Sequence, residues 1–185
     1  MRTQEDKFDN SEVKLLENLK SGTWESISGH EMDNLNFAWG SVIVQTSKGP
    51  VNLLSESREL DFEGYWDDYS KLHLKASAEG WDAMKEAGHV FYFGQGERIQ
   101  RIWLIRDTVT FTLDGMKVSQ YTTDSGIVFE LDRTWISLMK SSHRTAALSV
   151  AASPRKSEIQ LGNLFGRWES NLLREYSDQR QWIEI

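Results

Sequence analysis

The sequence predicts a mostly β protein: an antiparallel β barrel or strongly bent sheet, with an N-terminal helix and one inserted helix. Three observations indicate this class. From Thr23 onward, apolar and polar side chains alternate with a period of two, as in half-buried strands. Only 2 of the 185 residues are proline, so long strands can keep their backbone N–H groups for ladder hydrogen bonds. The 8 Trp, 5 Tyr and 8 Phe residues require a large shared core.

The length of the chain fits a single β-rich domain covering residues 1–185, with residues 1–9 frayed. An α+β sheet with helices on one face is the alternative. The net charge is −7, and no basic stripe is visible. Because phosphate neutralisation supplies much of the affinity for nucleic acids, we expect no nucleic-acid partner.

The chain contains no cysteine, which excludes disulfides, thiolate nucleophiles and cysteine-ligated zinc or iron–sulfur sites. The first residues are polar and lack the apolar core of a signal peptide. No stretch is long and apolar enough to span a membrane. The sequence therefore predicts a cytoplasmic protein with no membrane partner and no cofactor.

Two helices are predicted. Residues 10–20 carry apolar side chains at three- and four-residue spacing, and Gly22 follows as a natural stop. Residues 77–87 form the inserted helix, with Ser77 as a suitable N-cap and Gly88 as its stop.

The strands are predicted from alternation and from the turns that bound them. A long strand covers residues 35–44, and an acidic strand covers residues 51–63 after the turn at residues 48–50. Residues 98–106 carry apolar side chains and arginine on both faces, which indicates a central strand. Further strands are predicted at residues 127–131, 134–140, 145–151 and 181–185, and residues 166–176 fit either a strand or a helix.

The clearest local signal is a hairpin over residues 108–121. Asp114-Gly115 lies at its centre, and this dipeptide tolerates positive φ at both turn positions. A two-residue turn predicts the pairs Leu113–Met116, Phe111–Val118 and Val109–Gln120. One apolar face is expected to be buried, with Tyr121 on the opposite face. The residues of that apolar face are Val109, Phe111, Leu113, Met116 and Val118.

The motif Gly22-x-Trp24, just after a short helix, resembles the opening motif of the lipocalins and related calycin barrels. The resemblance implies an up-and-down barrel with an apolar ligand cavity, whose closed end is plugged by Trp24. It also implies that an arginine from a late strand packs over that ring, a position open to Arg144 or Arg167.

The leading functional hypothesis is a noncatalytic protein that binds a small apolar or amphipathic ligand. A barrel that closes around so many aromatic side chains readily encloses a pocket. An inward-facing Arg101 would need a carboxylate or an anionic ligand, because an unpaired buried charge costs several kcal/mol; at a strand end its guanidinium would instead reach water. The predicted ligand-binding residues are Trp39, Tyr92, Arg101, Trp103 and Trp135.

A protein-interaction module is the first alternative. Residues 56–69 combine carboxylates with aromatic rings, a composition that suits a basic protein partner. A solvated strand face explains the same acidic pattern. The predicted partner-binding residues are Glu59, Asp61, Glu63, Tyr65, Trp66 and Tyr69.

An enzyme with a site of scattered histidine and carboxylate groups is the second alternative. The nucleophile-elbow and phosphate-loop motifs are absent from the sequence. The histidines show no metal-ligand spacing, so no metal site is predicted and no catalytic residue is assigned. These histidines are His30, His73, His89 and His143.

Overall fold

The computed structural model describes residues 1–29, 32, 37–62, 65–76, 89–159, 161–162 and 175–185. Within these residues the protein is mostly β, with two largely antiparallel sheets and one α-helix, which confirms the mostly β class. The strands, in chain order, are β1 (Arg2–Asp6), β2 (Trp24–Gly29), β3 (Phe37–Trp39), β4 (Ser41–Thr46), β5 (Gly49–Phe62), β6 (Tyr65–Ala76), β7 (His89–Phe91), β8 (Ile99–Leu113), β9 (Met116–Leu131), β10 (Trp135–Lys140), β11 (Ala147–Ser153) and β12 (Glu175–Glu184).

The helix α1 spans Asn10–Leu19 and confirms the predicted N-terminal helix. A capping box begins it: the Asp9 carboxylate accepts from the backbone N–H of Glu12, and the Glu12 carboxylate accepts from the backbone N–H of Asp9. Glu12 also accepts a hydrogen bond from the backbone N of Leu74 at 2.9 Å. The same side chain therefore starts the helix and fastens it to β6.

Two sheets account for the strand pairing. The large sheet has the order β12-β8-β9-β10-β11-β3, with β1 added parallel to β9, and the small sheet has the order β6-β5-β4-β2-β7. An isolated bridge between Thr23 and Arg98 links them at one side. A hydrogen bond from the backbone N of Ser70 to the carbonyl of His143, at 2.8 Å, links them elsewhere. The pairings of the described strands do not close into one barrel, so the barrel remains a prediction.

The main hydrophobic core unites both sheets and α1. Trp24 is fully buried and packs edge-to-face on Phe129, with ring centroids 5.1 Å apart. Leu16 and Leu19 bring the helix into the same cluster. Arg144, one of the two arginines implied by the calycin resemblance, donates a hydrogen bond to the ring of the neighbouring His143. The other arginine implied by the calycin resemblance, at position 167, lies outside the described residues. The core residues of the two sheets include Ile27, Val42, Val44, Leu53, Leu72, Ile102, Leu104, Ile127, Ile136 and Leu138.

The strand predicted at residues 35–44 is divided in the structure. Gly40 has a φ of 74° and turns the chain from β3 in the large sheet into β4 in the small sheet. Glycine takes this left-handed conformation without steric penalty, so the break falls there. The inserted helix predicted at residues 77–87 lies outside the described residues, as does most of the segment 166–176.

The N-terminus is ordered where fraying was predicted. Residues 2–6 form β1, which pairs in parallel with residues 119–123 of β9. Asp6 at its end is 2 % exposed and is bonded to Tyr121 and Arg58. These distant partners hold the segment in place.

The predicted hairpin forms at Asp114-Gly115, but its register shifts after two pairs. A β-bulge skips Val118, which places Tyr121 on the buried side instead of the opposite face. The hairpin tip extends beyond the last pair of β12 with β8, so its apolar side chains reach solvent. The pairs are Leu113–Met116, Thr112–Lys117, Phe111–Ser119 and Val109–Tyr121. Of the predicted apolar face, Val109 and Phe111 are buried, Val118 is half-buried, and Leu113 and Met116 are exposed.

Gly126 on β9 lies where the neighbouring strand leaves no room for a side chain. An added Cβ would come within 2.5 Å of the carbonyl oxygen of Leu138 and 3.0 Å of Met139 Cα. Gly126→Ala is therefore expected to lower the free energy of unfolding by about 1–3 kcal/mol, measured by urea unfolding. Gly162→Ala is the control, because an added Cβ there meets no atom of the described residues within 4 Å. Equal stability of the two variants would contradict the close approach.

Candidate functional site: a tryptophan cluster around a lysine

Three tryptophans meet on the face of the large sheet that is turned away from the small sheet. Side-chain alternation separates this outer face from the core: Ile102 and Leu104 join the core, whereas Trp103 between them belongs to a separate cluster. Trp103 lies on β8, Trp182 on the adjacent β12 and Trp135 on β10. We call these three residues the tryptophan cluster.

The tryptophan cluster has a buried apolar floor and partly exposed rings. Trp103 and Trp182 pack edge-to-face, with centroids 6.0 Å apart and ring planes at 73°. The floor is made of Ile105, Val128 and Met139, each no more than 2 % exposed.

The ammonium group of Lys156 lies among the three rings. Its Nζ is 4.2 Å from the ring centroid of Trp182, 4.6 Å from that of Trp103 and 5.5 Å from that of Trp135. All three distances fall within the reach of a cation–π contact. The cluster thus forms a cage for a positively charged group.

Lys156 is carried by a segment that crosses the outer face, residues 154–162, which we call the strap; residue 160 lies outside the described part. A short 3-10 helix, Lys156–Glu158, begins this crossing. Ile159 and Leu161 then pack on the buried floor beneath the tryptophan cluster. The strap therefore covers part of the apolar floor and places the ammonium group of Lys156 among the three tryptophan rings.

Arg180 of β12 anchors the far end of the strap. Its Nη1 donates to the carbonyl of Leu161 at 3.1 Å, and its Nη2 donates to the carbonyl of Gly162 at 2.9 Å. The guanidinium is oriented by the buried carboxylate of Asp107, with two contacts of 2.7 Å. Such bidentate pairs combine strength with a defined direction, so the end of the strap has a fixed position on the sheet.

The structure brings together two of the five predicted ligand-binding residues, Trp103 and Trp135. Trp39 on the edge strand β3 is 53 % exposed, and Tyr92 after β7 is 60 % exposed. Arg101 is also exposed. These residues therefore do not line one interior pocket.

Arg101 faces outward because of a bulge in β8. The pairing with β9 shifts between Ile99 and Arg101, so that Ile99 enters the core while Arg101 points to solvent. Its guanidinium lies 3.6 Å from the Glu130 carboxylate and 3.8 Å from that of Glu184. The charge thus reaches water beside two carboxylates, as the strand-end interpretation requires.

Sequence reasoning missed Trp182 and Lys156. Trp182 falls in the predicted strand at residues 181–185, and Lys156 falls just after Pro154, where a break was expected. The local structure around each residue, a strand for Trp182 and a break for Lys156, was therefore predicted. Their meeting depends on β12 pairing with β8, a contact that no local pattern indicates.

A second group of ionisable side chains lies where the two sheets meet, and we call it the polar joint. Its two arginines are half-buried and its other members are buried. The Asp6 carboxylate accepts from the Tyr121 hydroxyl at 2.8 Å and pairs with Arg58. Asp124 accepts from Arg106 Nε at 2.7 Å. The polar joint consists of Asp6, Arg58, Arg106, Tyr121, Asp124 and Lys140.

Lys140 joins the two sheets directly. Its Nζ donates to the carbonyl of Ser70 on β6 at 2.5 Å and to Thr123 Oγ1 on β9 at 2.9 Å. Burial lowers its pKa to about 8, partly opposed by the nearby carboxylates of Asp6, Asp107 and Asp124.

The Tyr121 pKa is raised, first by burial and then by the negative charge of Asp6. Tyr121, Asp6 and Lys140 are each at most 3 % exposed and are hydrogen-bonded to other protein groups. We therefore interpret the polar joint as a structural fastening between the sheets.

The proposed acidic partner surface is only partly described. Glu59 is exposed, while Tyr69 is 3 % exposed and packs on Tyr121 with ring centroids 5.5 Å apart. Tyr69 is therefore a core residue instead of a surface anchor. The side chains at positions 61, 63, 65 and 66 lie outside the described part, and the surface remains a prediction.

Two of the histidines have described side chains. His73 lies 3.2 Å from the Glu12 carboxylate, and His143 is buried against Arg144. The side chains of His30 and His89 lie outside the described part. Among the residues described, no group of three or more His, Cys, Asp or Glu side chains could hold a metal ion.

Comparison with protein-family models, curated proteins and solved structures gives no match for this chain. Among the described residues, no helix has the length and apolar character needed to cross a membrane.

Proposed function

We propose that this chain is a noncatalytic binding protein that takes a small amphipathic ligand on the tryptophan cluster. The observation that carries the proposal is the convergence of three indole rings from three strands on one point of the outer face. The proposal keeps the ligand class predicted from the sequence. It moves the site from a barrel interior to the surface of the large sheet.

The cluster has the properties expected of a ligand site. Its rings are partly exposed, so they offer π faces and edges to a molecule arriving from solvent. Its floor is buried and apolar, and it lies on hydrogen-bonded strands that hold the rings in place. Ligand sites are commonly lined by apolar and aromatic side chains with a few placed polar groups. Glu130 supplies such a group, since its carboxylate accepts from Trp103 Nε1 at 3.4 Å.

A noncatalytic role fits the chemistry of these groups. Indole rings, aliphatic side chains and one ammonium group provide contact area and electrostatic attraction. Four described side chains have a clearly shifted pKa. Lys140 and Tyr121 belong to the polar joint, where protein partners already satisfy them. Hydrogen bonds to the carboxylates lower the pKa of Asp9 and of Asp132, and neither belongs to the tryptophan cluster. A closed calycin-like barrel with an interior cavity is the other form of this proposal. Substitutions of core residues, followed by the dye titration described below, would test it.

Trp182→Ala tests the proposed site. A titration with the amphipathic dye N-phenyl-1-naphthylamine, followed by its fluorescence, is expected to show dye binding to the unmodified protein and a roughly 3- to 30-fold weaker affinity in the variant. The reason is the loss of one of the three π faces that the cluster offers to an aromatic ligand. Trp182 is chosen because its ring centroid lies nearest Lys156 Nζ, at 4.2 Å.

Trp39→Ala is the matched control, because Trp39 is an exposed tryptophan on the edge strand β3, outside the tryptophan cluster. It should leave the dye affinity unchanged. Equal loss in both variants, or no dye binding by either the unmodified protein or Lys156→Ala, would reject the site.

A further inference from the structure

We infer that the tryptophan cluster selects an organic ammonium group, and that Lys156 is a built-in occupant which the ligand must displace. The inference rests on the proposed function and adds the class of ligand and its regulation. The observation behind it is that the cage already holds a cation of the protein's own chain.

The arrangement of rings favours a cation over a neutral group. An indole face carries negative potential, and three rings surround Nζ within 5.5 Å. A methylated ammonium is larger and less strongly hydrated than a lysine ammonium, so it gives up less hydration when it enters an aromatic cage. Cages of this kind are the usual binding sites of quaternary ammonium groups.

The position of Lys156 makes it an exchangeable occupant. Its residue is exposed overall and belongs to a three-residue 3-10 helix, whereas the tryptophans lie on paired strands. The strap is fixed further along by the contacts of Arg180 with Leu161 and Gly162. Rotation of one long side chain therefore opens the cage without moving the sheet or the anchored end of the strap.

Self-occupation predicts that removing the lysine strengthens ligand binding. A ligand that competes with an internal occupant has its apparent affinity reduced by the fraction of open sites. For a cation–π contact of ordinary strength, Lys156→Ala is expected to tighten choline binding about 3- to 30-fold, measured by tryptophan fluorescence.

Three companion measurements make the test specific. The neutral isostere 3,3-dimethylbutan-1-ol has the shape of choline without its charge, and it should bind at least 3-fold more weakly than choline to both proteins. Lys156→Gln, which keeps most of the length but not the charge, should also tighten choline binding. Arg155→Ala should behave as the unmodified protein, because Arg155 pairs with Glu158, 3.5 Å away.

Displacement can also be seen without any variant. The ε-methylene protons of Lys156 should show upfield ring-current shifts in the NMR spectrum of the free protein. Those shifts should return toward ordinary lysine values as choline is added. Persistence of the shifts at saturating choline would overturn the displacement step even if a Lys156 variant failed to fold.

The outcomes separate the two proposals. If the dye binds and Trp182→Ala weakens it, but choline and its isostere bind alike and Lys156→Ala changes neither, the ammonium inference is wrong and the proposed function stands. If neither the dye nor choline binds the unmodified protein or Lys156→Ala, both fail.

Discussion

Replacing Asp124 with alanine is expected to lower the free energy of unfolding by about 3–5 kcal/mol. Its carboxylate is 1 % exposed and receives Nε of Arg106 at 2.7 Å, Nη2 of Arg106 at 3.1 Å and the backbone N of Phe8 at 2.7 Å. Without it, a guanidinium that is 23 % exposed loses its counter-charge, and a buried N–H loses its acceptor. Urea unfolding followed by circular dichroism measures the loss.

Asp132→Ala is the control for this prediction. Asp132 also accepts from a backbone N–H, that of Arg98 at 3.0 Å, but it is exposed to solvent. Its removal should cause a much smaller change, because water replaces the lost bonds. Similar losses in the two variants would show that burial of the Asp124–Arg106 pair is not what matters.

A double replacement separates pairing from burial. Asp124→Leu together with Arg106→Leu should be more stable than Asp124→Leu alone, since no unpaired charge remains. A double variant as unstable as the sum of its two single variants would contradict the coupling.

The free energy of unfolding is expected to rise by about 2 kcal/mol between pH 7 and pH 10 because of Lys140. Its pKa is about 8 in the folded protein and 10.5 when unperturbed, so in this window the unfolded chain binds more protons. Raising the pH therefore removes the cost of burying the charged form. The charged groups that act on Lys140 are Asp6 on β1, Asp107 on β8, Asp124 on β9 and Arg58 on β5.

Above pH 10 the trend should reverse because of Tyr121. Its pKa is raised in the folded protein from an unperturbed value of 10.0, so here the folded state holds a proton that the unfolded chain has lost. Stability should therefore pass through a maximum near pH 10. Urea unfolding at half-unit pH steps from 7 to 11 measures the curve.

Two variants identify which group causes the rise in stability and which causes the fall. Lys140→Met should remove the rise between pH 7 and pH 10, and Tyr121→Phe should remove the fall above pH 10. A rise that persists unchanged in Lys140→Met would mean that another group titrates in this window.

The local features of the chain were predictable because neighbouring residues encode them. The helix over 10–20 follows from its apolar spacing, and the turn at Asp114-Gly115 follows from the positive φ of Asp114 and Gly115, observed at 49° and 76°. The bulge that buries Tyr121 has no such signal. It is compatible with the fold only because Asp6 and Tyr69, from distant parts of the chain, complete the surroundings of that side chain.

In the candidate site, too, some features follow from local sequence and others depend on contacts between distant parts of the chain. Trp103 and Trp135 were named from the sequence because large aromatic side chains in strands mark packing or binding surfaces. Their grouping with Trp182 and Lys156 could not be derived, since it requires the order β12-β8-β9-β10 and a strap that crosses it. The sequence left two positions open for Arg101, facing inward or reaching water, and the bulge in β8 places its guanidinium in solvent beside Glu130.

The sequence by itself determined the mostly β class, the first helix with its boundaries and the main hairpin turn. Only the tertiary structure decided which strands are neighbours, which face of each strand is buried after a bulge, and which tryptophans meet around Lys156. The physical reason is range: backbone preference and side-chain period act over a few residues, whereas register and strand order depend on packing between residues far apart in the chain.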